Sequence, residues 1–389
     1  MYQIKTLNKI STIGLAALPA QRYKIGDEME NPDAILVRSA KMHDYAFNPE
    51  LQCIARAGAG TNNIPLDKCA EEGIVVFNSP GANSESVKEL AVCAMLLASR
   101  DILGGVQWAQ ETAAKGEDVA ALMEKAKSQF AGPEIMGKTL GIIGLGAIGA
   151  KLANAALSMG MRVFGYDPYL SVQAAWGLSS EVQHAEDLEK IYRNCDYISL
   201  HLPCLDSTRG MINSETISLM KDGVRIINLA RGELVNENDI ASALESGKVS
   251  KYVTDFPTTK LAAQKNVIPV PHLGASTPES EDNCAIMAAQ EIDEYLIRGN
   301  IRNSVNYPSA YMDPSGAARI CVLHKNVPAI ISGVLKHVSE NGLNVENMVN
   351  KSRDQYSYCM IDVNSAVSDA LADQISQVDG VLRVRVIKN

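Results

Sequence analysis

Three polar residues stand just past apolar runs: Arg231 after Ile226-Ile-Asn-Leu-Ala, Asp255 after Tyr252-Val-Thr, and His272 after the run at 267–270. An imidazole changes charge near neutrality, so His272 suits moving a proton. A guanidinium can clamp a carboxylate through paired hydrogen bonds and polarise a carbonyl. If the three runs are parallel strands of one sheet, their polar residues converge on its C-terminal edge, where open α/β sheets bind ligands. The chemistry would be proton transfer beside an oxygen that gains or loses charge. Taken singly, each has a plainer explanation, a structural histidine or a solvated loop charge. Their convergence is harder to dismiss.

Gly144-Leu-Gly-Ala-Ile-Gly149 directly follows an apolar run and opens a helical one. In that context Gly144 permits a tight turn, Gly146 admits a pyrophosphate to the backbone, and Gly149 lets helix and strand pack closely. The helix N-terminus adds free N–H groups and partial positive charge. About twenty residues on, Asp167 ends the next strand, where a carboxylate takes an adenosine ribose diol. A carboxylate repels the 2′-phosphate of NADP, and no Arg or Lys occupies Pro168, Tyr169 or Leu170, so NAD is favoured. The alternative is a ligand-free glycine turn with a surface aspartate.

These residues need a scaffold of strands alternating with helices, which implies βαβ units and parallel sheets. The first third supplies strands at 34–38, 51–55 and 73–77 and a helix at 84–100. Residues 101–137 read as helix plus connector. A second series places strands at 139–143, 162–166, 197–200, 224–228, 252–254 and 267–270, then a long helix at 278–298. Residues 307–316 are a linker by composition. Beyond it the order is βαββαβ, a ferredoxin-like module. The fold class is therefore α/β: two doubly wound, Rossmann-like lobes plus a C-terminal ferredoxin-like module.

Val37-Arg-Ser-Ala40, Ala57-Gly-Ala-Gly-Thr-Asn-Asn63, Asn78-Ser-Pro-Gly-Ala-Asn-Ser84, the glycine-rich turn, Asn228-Leu-Ala-Arg-Gly232 and His272-Leu-Gly-Ala-Ser-Thr277 resemble segments of the D-2-hydroxyacid dehydrogenase family. The likeness spans nearly the whole chain. It implies that Arg38, Ser39, Arg56 and Asn83 contact substrate and that Arg231 and His272 are catalytic. It implies that Ala147, Ile148, Asp167, Leu202, Pro203, Thr208, Asp255 and Gly274 line the NAD site with Gly144, Gly146 and Gly149. The reaction implied is oxidation of 3-phospho-D-glycerate to 3-phosphohydroxypyruvate, the first step of L-serine synthesis, in a cytoplasmic homodimer or homotetramer. Another D-2-hydroxy acid, such as glycerate or lactate, is the alternative substrate. A nucleotide-sensing binding protein on the same scaffold is the alternative class. One departure bears on this: the family's glutamate a few residues after Asp255, which partners the histidine, is absent from Asp255-Phe-Pro-Thr-Thr-Lys260. Glu279 is a candidate substitute.

The C-terminal module resembles an ACT domain, a small amino-acid-sensing fold. His324-Lys-Asn326-Val-Pro328 and Gly342-Leu-Asn344 match a serine-sensing pattern, which implies L-serine as effector on His324, Asn326 and Asn344, or else a role in assembly alone. Ala329 stands where glycine is usual. The domains expected are a substrate-binding domain, 1–94 with 282–306; an NAD-binding domain, 95–281; the linker, 307–316; and the ACT module, 317–389.

The 389 residues exceed one compact core. A net charge of -9 opposes nucleic-acid binding, which needs a basic excess. No apolar run approaches the roughly 18–20 residues of a bilayer span. The eight cysteines include no C-x-x-C pair, so neither a disulfide framework nor a metal site is expected. Lys5 and Lys9 before the apolar stretch at 10–20 faintly resemble a secretory signal, but Ser11, Thr12 and Gly14 interrupt it, and a first strand and loop is the preferred reading.

Overall fold

Two helices decide where the chain divides. Ser84–Ser99 sinks Ala91, Ala94, Met95 and Ala98 into one core with Leu140 and Ile142. Pro278–Arg298 sinks Ala285, Ala288, Ala289 and Ile292 into another with Ile4, Leu36 and Phe77. The small residues permit close approach; a side chain at Gly14 would overlap Ala285. The computed structural model, which describes Met1–Lys388, accordingly forms two units, Met1–Asn83 with the residues from Pro278 on, and Ser84–Thr277. The divisions fall at the helix starts, rather than inside the helices at 94/95 and 281/282 as expected above, because a helix goes with the core its apolar stripe enters.

The unit Ser84–Thr277 holds a seven-stranded parallel sheet ordered Val267–Pro269, Val249–Thr254, Val224–Asn228, Tyr197–Leu200, Thr139–Ile143, Arg162–Tyr166, Gln183–His184. Strand order reverses at Thr139–Ile143, the topological switch point at which such sheets take ligands. Ile102–Ala114 and Val119–Ala126, capped by Asp101 and Asp118, fill the stretch read as helix plus connector. Among the described residues no helix is long and apolar enough to cross a membrane, and no cluster of metal-ligating side chains occurs.

The other unit carries a five-stranded parallel sheet ordered Tyr23–Gly26, Tyr2–Leu7, Ala34–Val37, Cys53–Arg56, Val75–Asn78. The stretch at 10–20, expected to be a first strand and loop, instead holds a short helix, Thr12–Ala16, with Ser11 as its cap, and the first strand precedes it at Tyr2–Leu7. The C-terminal module belongs to this unit. Its antiparallel sheet runs Val345–Arg353, Tyr356–Val363, Ala318–Lys325, Val381–Lys388, and Ile330–Glu340 and Asp369–Ser376 are its helices. Side chains alternate along a strand. Ile320 and Val322 therefore meet the module's own helices, while Cys321 and Leu323 enter the core that holds Phe77 and Tyr295.

Polar contacts reinforce that seam. Arg383 donates to the carbonyls of Leu51, Pro49 and Glu72, and Arg385 to those of Tyr295 and Leu296. Arg319 forms a fully buried ion pair with Asp362 at 2.6 Å and donates to the Arg298 carbonyl. Removing either partner of such a pair costs about 3–5 kcal/mol, because it strands the other charge. The segment 307–316 is no free tether. Tyr307, Ala310 and Met312 are buried, and the Tyr307 hydroxyl donates to the Ala70 carbonyl at 2.6 Å.

Glu291, on Pro278–Arg298, is buried, with Oε1 accepting from Asn303 Nδ2 at 2.7 Å and Oε2 unpartnered among the described residues. Burial pushes its carboxyl from 4.5 up to about 8. Between those values the folded chain holds a proton that the unfolded chain has released, so stability falls as pH rises through that window. Glu291→Gln should flatten this slope in urea melts, leaving the variant the more stable form at pH 9. An equal slope in both proteins would show that Glu291 does not carry it.

Candidate active site

The glycine-rich turn meets the geometric demands of a dinucleotide. Gly144 has φ 96°, and a side chain there would strike the His201 carbonyl. At Gly149 it would strike the Gly144 carbonyl. At Gly146 it would meet nothing within 4 Å, the open approach a pyrophosphate needs. The helix Ala147–Ser158 starts there with no side-chain cap, leaving its first N–H groups for an anion. Asp167 follows the neighbouring strand, and its carboxylate accepts from Leu145 N and Tyr169 N, both at 2.9 Å. Those bonds aim the charge while sparing lone pairs for hydroxyl donors. Thr208 closes the loop beside Leu202 and Pro203, its hydroxyl donating to the Pro203 carbonyl at 2.8 Å. Ile148 is half-buried and Ala147 exposed at the helix start.

On the same sheet edge, His272 Nδ1 lies 2.7 Å from Asp255 Oδ2. The histidine side chain is 61% exposed and the aspartate side chain 1%. The imidazole leans on the Phe256 ring at 4.9 Å between centroids, and Nε2 has no partner among the described residues. A buried carboxylate fixes one nitrogen and the exposed edge offers the other, the arrangement that orients a general acid–base. Burial works to raise the Asp255 pKa, opposed by His272 and Arg231. The acid that sequence reading sought downstream is thus Asp255 itself; Glu279 lies in the other unit, in the first turn of Pro278–Arg298. Asp255 Oδ1 is buried with no hydrogen-bond partner among the described residues.

Arg231 is exposed on the loop after Val224–Asn228, with Nη1 donating to the Ala230 carbonyl at 2.6 Å. Asn228 ties the loop down by donating to the Arg231 carbonyl at 2.9 Å. Gly274 is buried against Val87, and its carbonyl accepts from the Ser86 hydroxyl at 2.6 Å, fastening the loop that carries His272. Ser86 is a positioning residue that the sequence alone does not reveal.

In the other unit, Arg38 and Arg56 stand at the C-terminal ends of adjacent strands, where Val37 pairs with Arg56. Arg56 Nε donates to the Arg38 carbonyl at 3.0 Å, and its guanidinium lies under Gly58 and Gly60. The backbone N–H groups of Ser39 and Ala40 are held by the Asn8 side chain, at 3.0 and 2.7 Å. Asn8 has φ 73° and is a second positioning residue that sequence reading missed. Asn83 is half-buried and ends the turn begun by Ser79, whose hydroxyl donates to the Arg56 and Cys284 carbonyls. Arg38 also pairs with Glu281 at 2.7 Å, which sequence reading did not foresee because the partners are far apart in sequence.

The proposed effector residues are not gathered within one chain. Lys325 pairs with Tyr356 and that with Arg353, while Ala318, Val363 and Val345 share the opposite end of the sheet. His324 and Asn326 therefore lie at one end and Asn344 at the other. His324 is buried with its ring nitrogens on the Lys325 carbonyl and Asn350 Oδ1. Asn326 donates to the Asp354 carbonyl. Ala329 adopts φ 70°, which explains why glycine is usual there and strains the alanine by about 1–3 kcal/mol.

Residues 92–274 match the model of the D-isomer specific 2-hydroxyacid dehydrogenase, NAD binding domain. The chain is 33% identical over 341 residues to the D-3-phosphoglycerate dehydrogenase of Escherichia coli, covering 84% of this chain and 79% of that one. The chain belongs to the D-2-hydroxyacid dehydrogenases. The relatives at this level of identity are D-3-phosphoglycerate dehydrogenases, and the matched domain is one that binds NAD. The Methanocaldococcus jannaschii enzyme of the same name is 32% identical over 88% of this chain, which spans 64% of that enzyme's length. A solved NAD+-bound 3-phosphoglycerate dehydrogenase from Entamoeba histolytica shares the fold, with a TM-score of 0.59, 24% identity, and 78% of this chain and 98% of that one covered.

Proposed function

We propose that this dehydrogenase oxidises 3-phospho-D-glycerate to 3-phosphohydroxypyruvate in the cytoplasm, opening L-serine synthesis. The His272–Asp255 pair on the sheet edge that carries the glycine-rich turn supports this best. A protein that only senses a nucleotide has no use for a buried carboxylate behind an exposed histidine. In this reading His272 Nε2 takes the C2 hydroxyl proton during oxidation and returns it during reduction. Arg231 holds the substrate carboxylate and stabilises charge on the reacting oxygen. Arg38, Ser39, Arg56 and Asn83 take the rest of the substrate. NAD, when bound, supplies the hydride acceptor. The test is NADH oxidation with phosphohydroxypyruvate beside pyruvate and hydroxypyruvate. The phosphorylated acid should have the highest kcat/KM, and NADH binding without turnover of any of them would favour the sensing protein. Eight free cysteines support the cytoplasmic placement.

The same reading includes a homodimer or homotetramer with L-serine as effector. Val345–Arg353 is an edge strand, exposed along nearly its whole length. Two copies paired across a two-fold axis would run these edges antiparallel. That would bring Asn344 of one copy toward His324 and Asn326 of the other. Calorimetry on the full chain should show serine binding that Asn344→Ala weakens at least about tenfold, as losing a charge-assisted bond does. No heat at millimolar serine would leave the module with assembly alone.

A further inference from the structure

The guanidinium of Arg38 is already spoken for. Its Nη2 lies 2.7 Å from Glu281 Oε1, and both side chains are partly open to solvent, at 40% and 43%. Glu281 stands in the first turn of Pro278–Arg298, where the dipole favours an acid. Ser11 ties the neighbouring Asp282 down, and Ser79 holds Cys284, so the turn is fixed on both sides. Arg56 Nε donates to the Arg38 backbone carbonyl. At this strand edge Arg38 thus presents its guanidinium already paired with one carboxylate.

We infer that Glu281 determines substrate specificity by competing with the substrate phosphate for Arg38, a reading that rests on the function proposed above. A phosphate dianion that takes the Arg38 fork containing Nη2 must displace Glu281 from it. The freed carboxylate then stays beside the incoming charge. The pair keeps Arg38 in place between turnovers and charges a toll on anions that reach it. An acid lacking the phosphate leaves the pair closed. Glu281 thus weakens binding of the phosphorylated substrate selectively, and it acts through Arg38 without touching the reacting carbon.

The experiment is steady-state NADH oxidation with phosphohydroxypyruvate and with hydroxypyruvate, comparing the unsubstituted chain, Glu281→Gln, Arg38→Ala and the double variant. Glutamine keeps the shape and a hydrogen bond while removing the charge. For phosphohydroxypyruvate, KM should fall about tenfold in Glu281→Gln, the scale of removing one charge a few ångströms from a dianion near a protein surface. For hydroxypyruvate it should move less than about twofold, and the NADH KM likewise, within the usual scatter of a surface change. On the Arg38→Ala background the Glu281→Gln gain should vanish, because the two residues act as one coupled pair. An unchanged KM for phosphohydroxypyruvate, or an equal shift for both acids, overturns the inference. A gain that survives without Arg38 overturns it too. Failure of the unsubstituted chain to reduce phosphohydroxypyruvate overturns the functional reading itself, a result distinguishable from these.

Discussion

Asp255→Asn should lower kcat by about 10²–10⁴, while NADH binds with nearly its original affinity. The amide keeps the size of the carboxylate but holds the wrong proton pattern for Nδ1, so Nε2 no longer faces substrate in the right state. His272→Ala should fall in the same range, the usual weight of a general acid or base. The two changes together should cost little more than either alone, because residues that act as one unit are strongly non-additive. Single-turnover NADH oxidation isolates the chemical step, and NADH fluorescence titration isolates binding. Near-normal turnover in Asp255→Asn would mean that the 2.7 Å contact orients nothing. A collapse of NADH affinity instead would assign Asp255 to the cofactor.

Arg231→Lys should lower kcat/KM by about 10²–10³, comparable to removing one donor from a charge-stabilising site. Lysine keeps the positive charge and loses the planar fork. The loop is held by Asn228 through the residue's backbone carbonyl, which the substitution leaves in place. Misfolding is therefore not the expected cause, and a melting curve checks it. Turnover above about a tenth of the original would show that charge alone suffices at this position.

The glycine-rich turn was legible in sequence because each glycine answers a separate steric demand. At Gly144 and Gly149 the added side chain has no room, and at Gly146 the room is what the ligand needs. Most of the parallel strands were legible as apolar runs, but Tyr2–Leu7, where only Ile4 is buried, and the short Tyr23–Gly26 were not. Gln183–His184 was not, since two exposed polar residues carry no pattern. Val249–Thr254 was read short because Ser250 and Lys251 are only partly buried and interrupt the run. The Asp255–His272 pair was half legible. Both residues were singled out, but the pairing waited on strand adjacency, because residues at neighbouring strand ends meet regardless of their distance along the chain. Glu281 and Asn8 escaped for the same reason: their partners, Arg38 and the Ser39 backbone, come from remote parts of the sequence.

The seam beneath the C-terminal sheet limits how such a protein can be rebuilt. Cys321, Leu323, Tyr358 and Met360 share a core with Phe77, Ile292 and Tyr295. A chain stopped before Ala318 would open that core to water and lose the arginine clasps at Leu51 and Tyr295. The exposed patch invites aggregation. A regulatory module borrowed from a relative would meet the mirror-image difficulty, arriving with the wrong knobs for these holes. In exchange experiments the heritable piece is therefore the module together with the lobe it sits on, and recombination points belong at Asn83/Ser84 and Thr277/Pro278, not at the composition-poor stretch after Asn306.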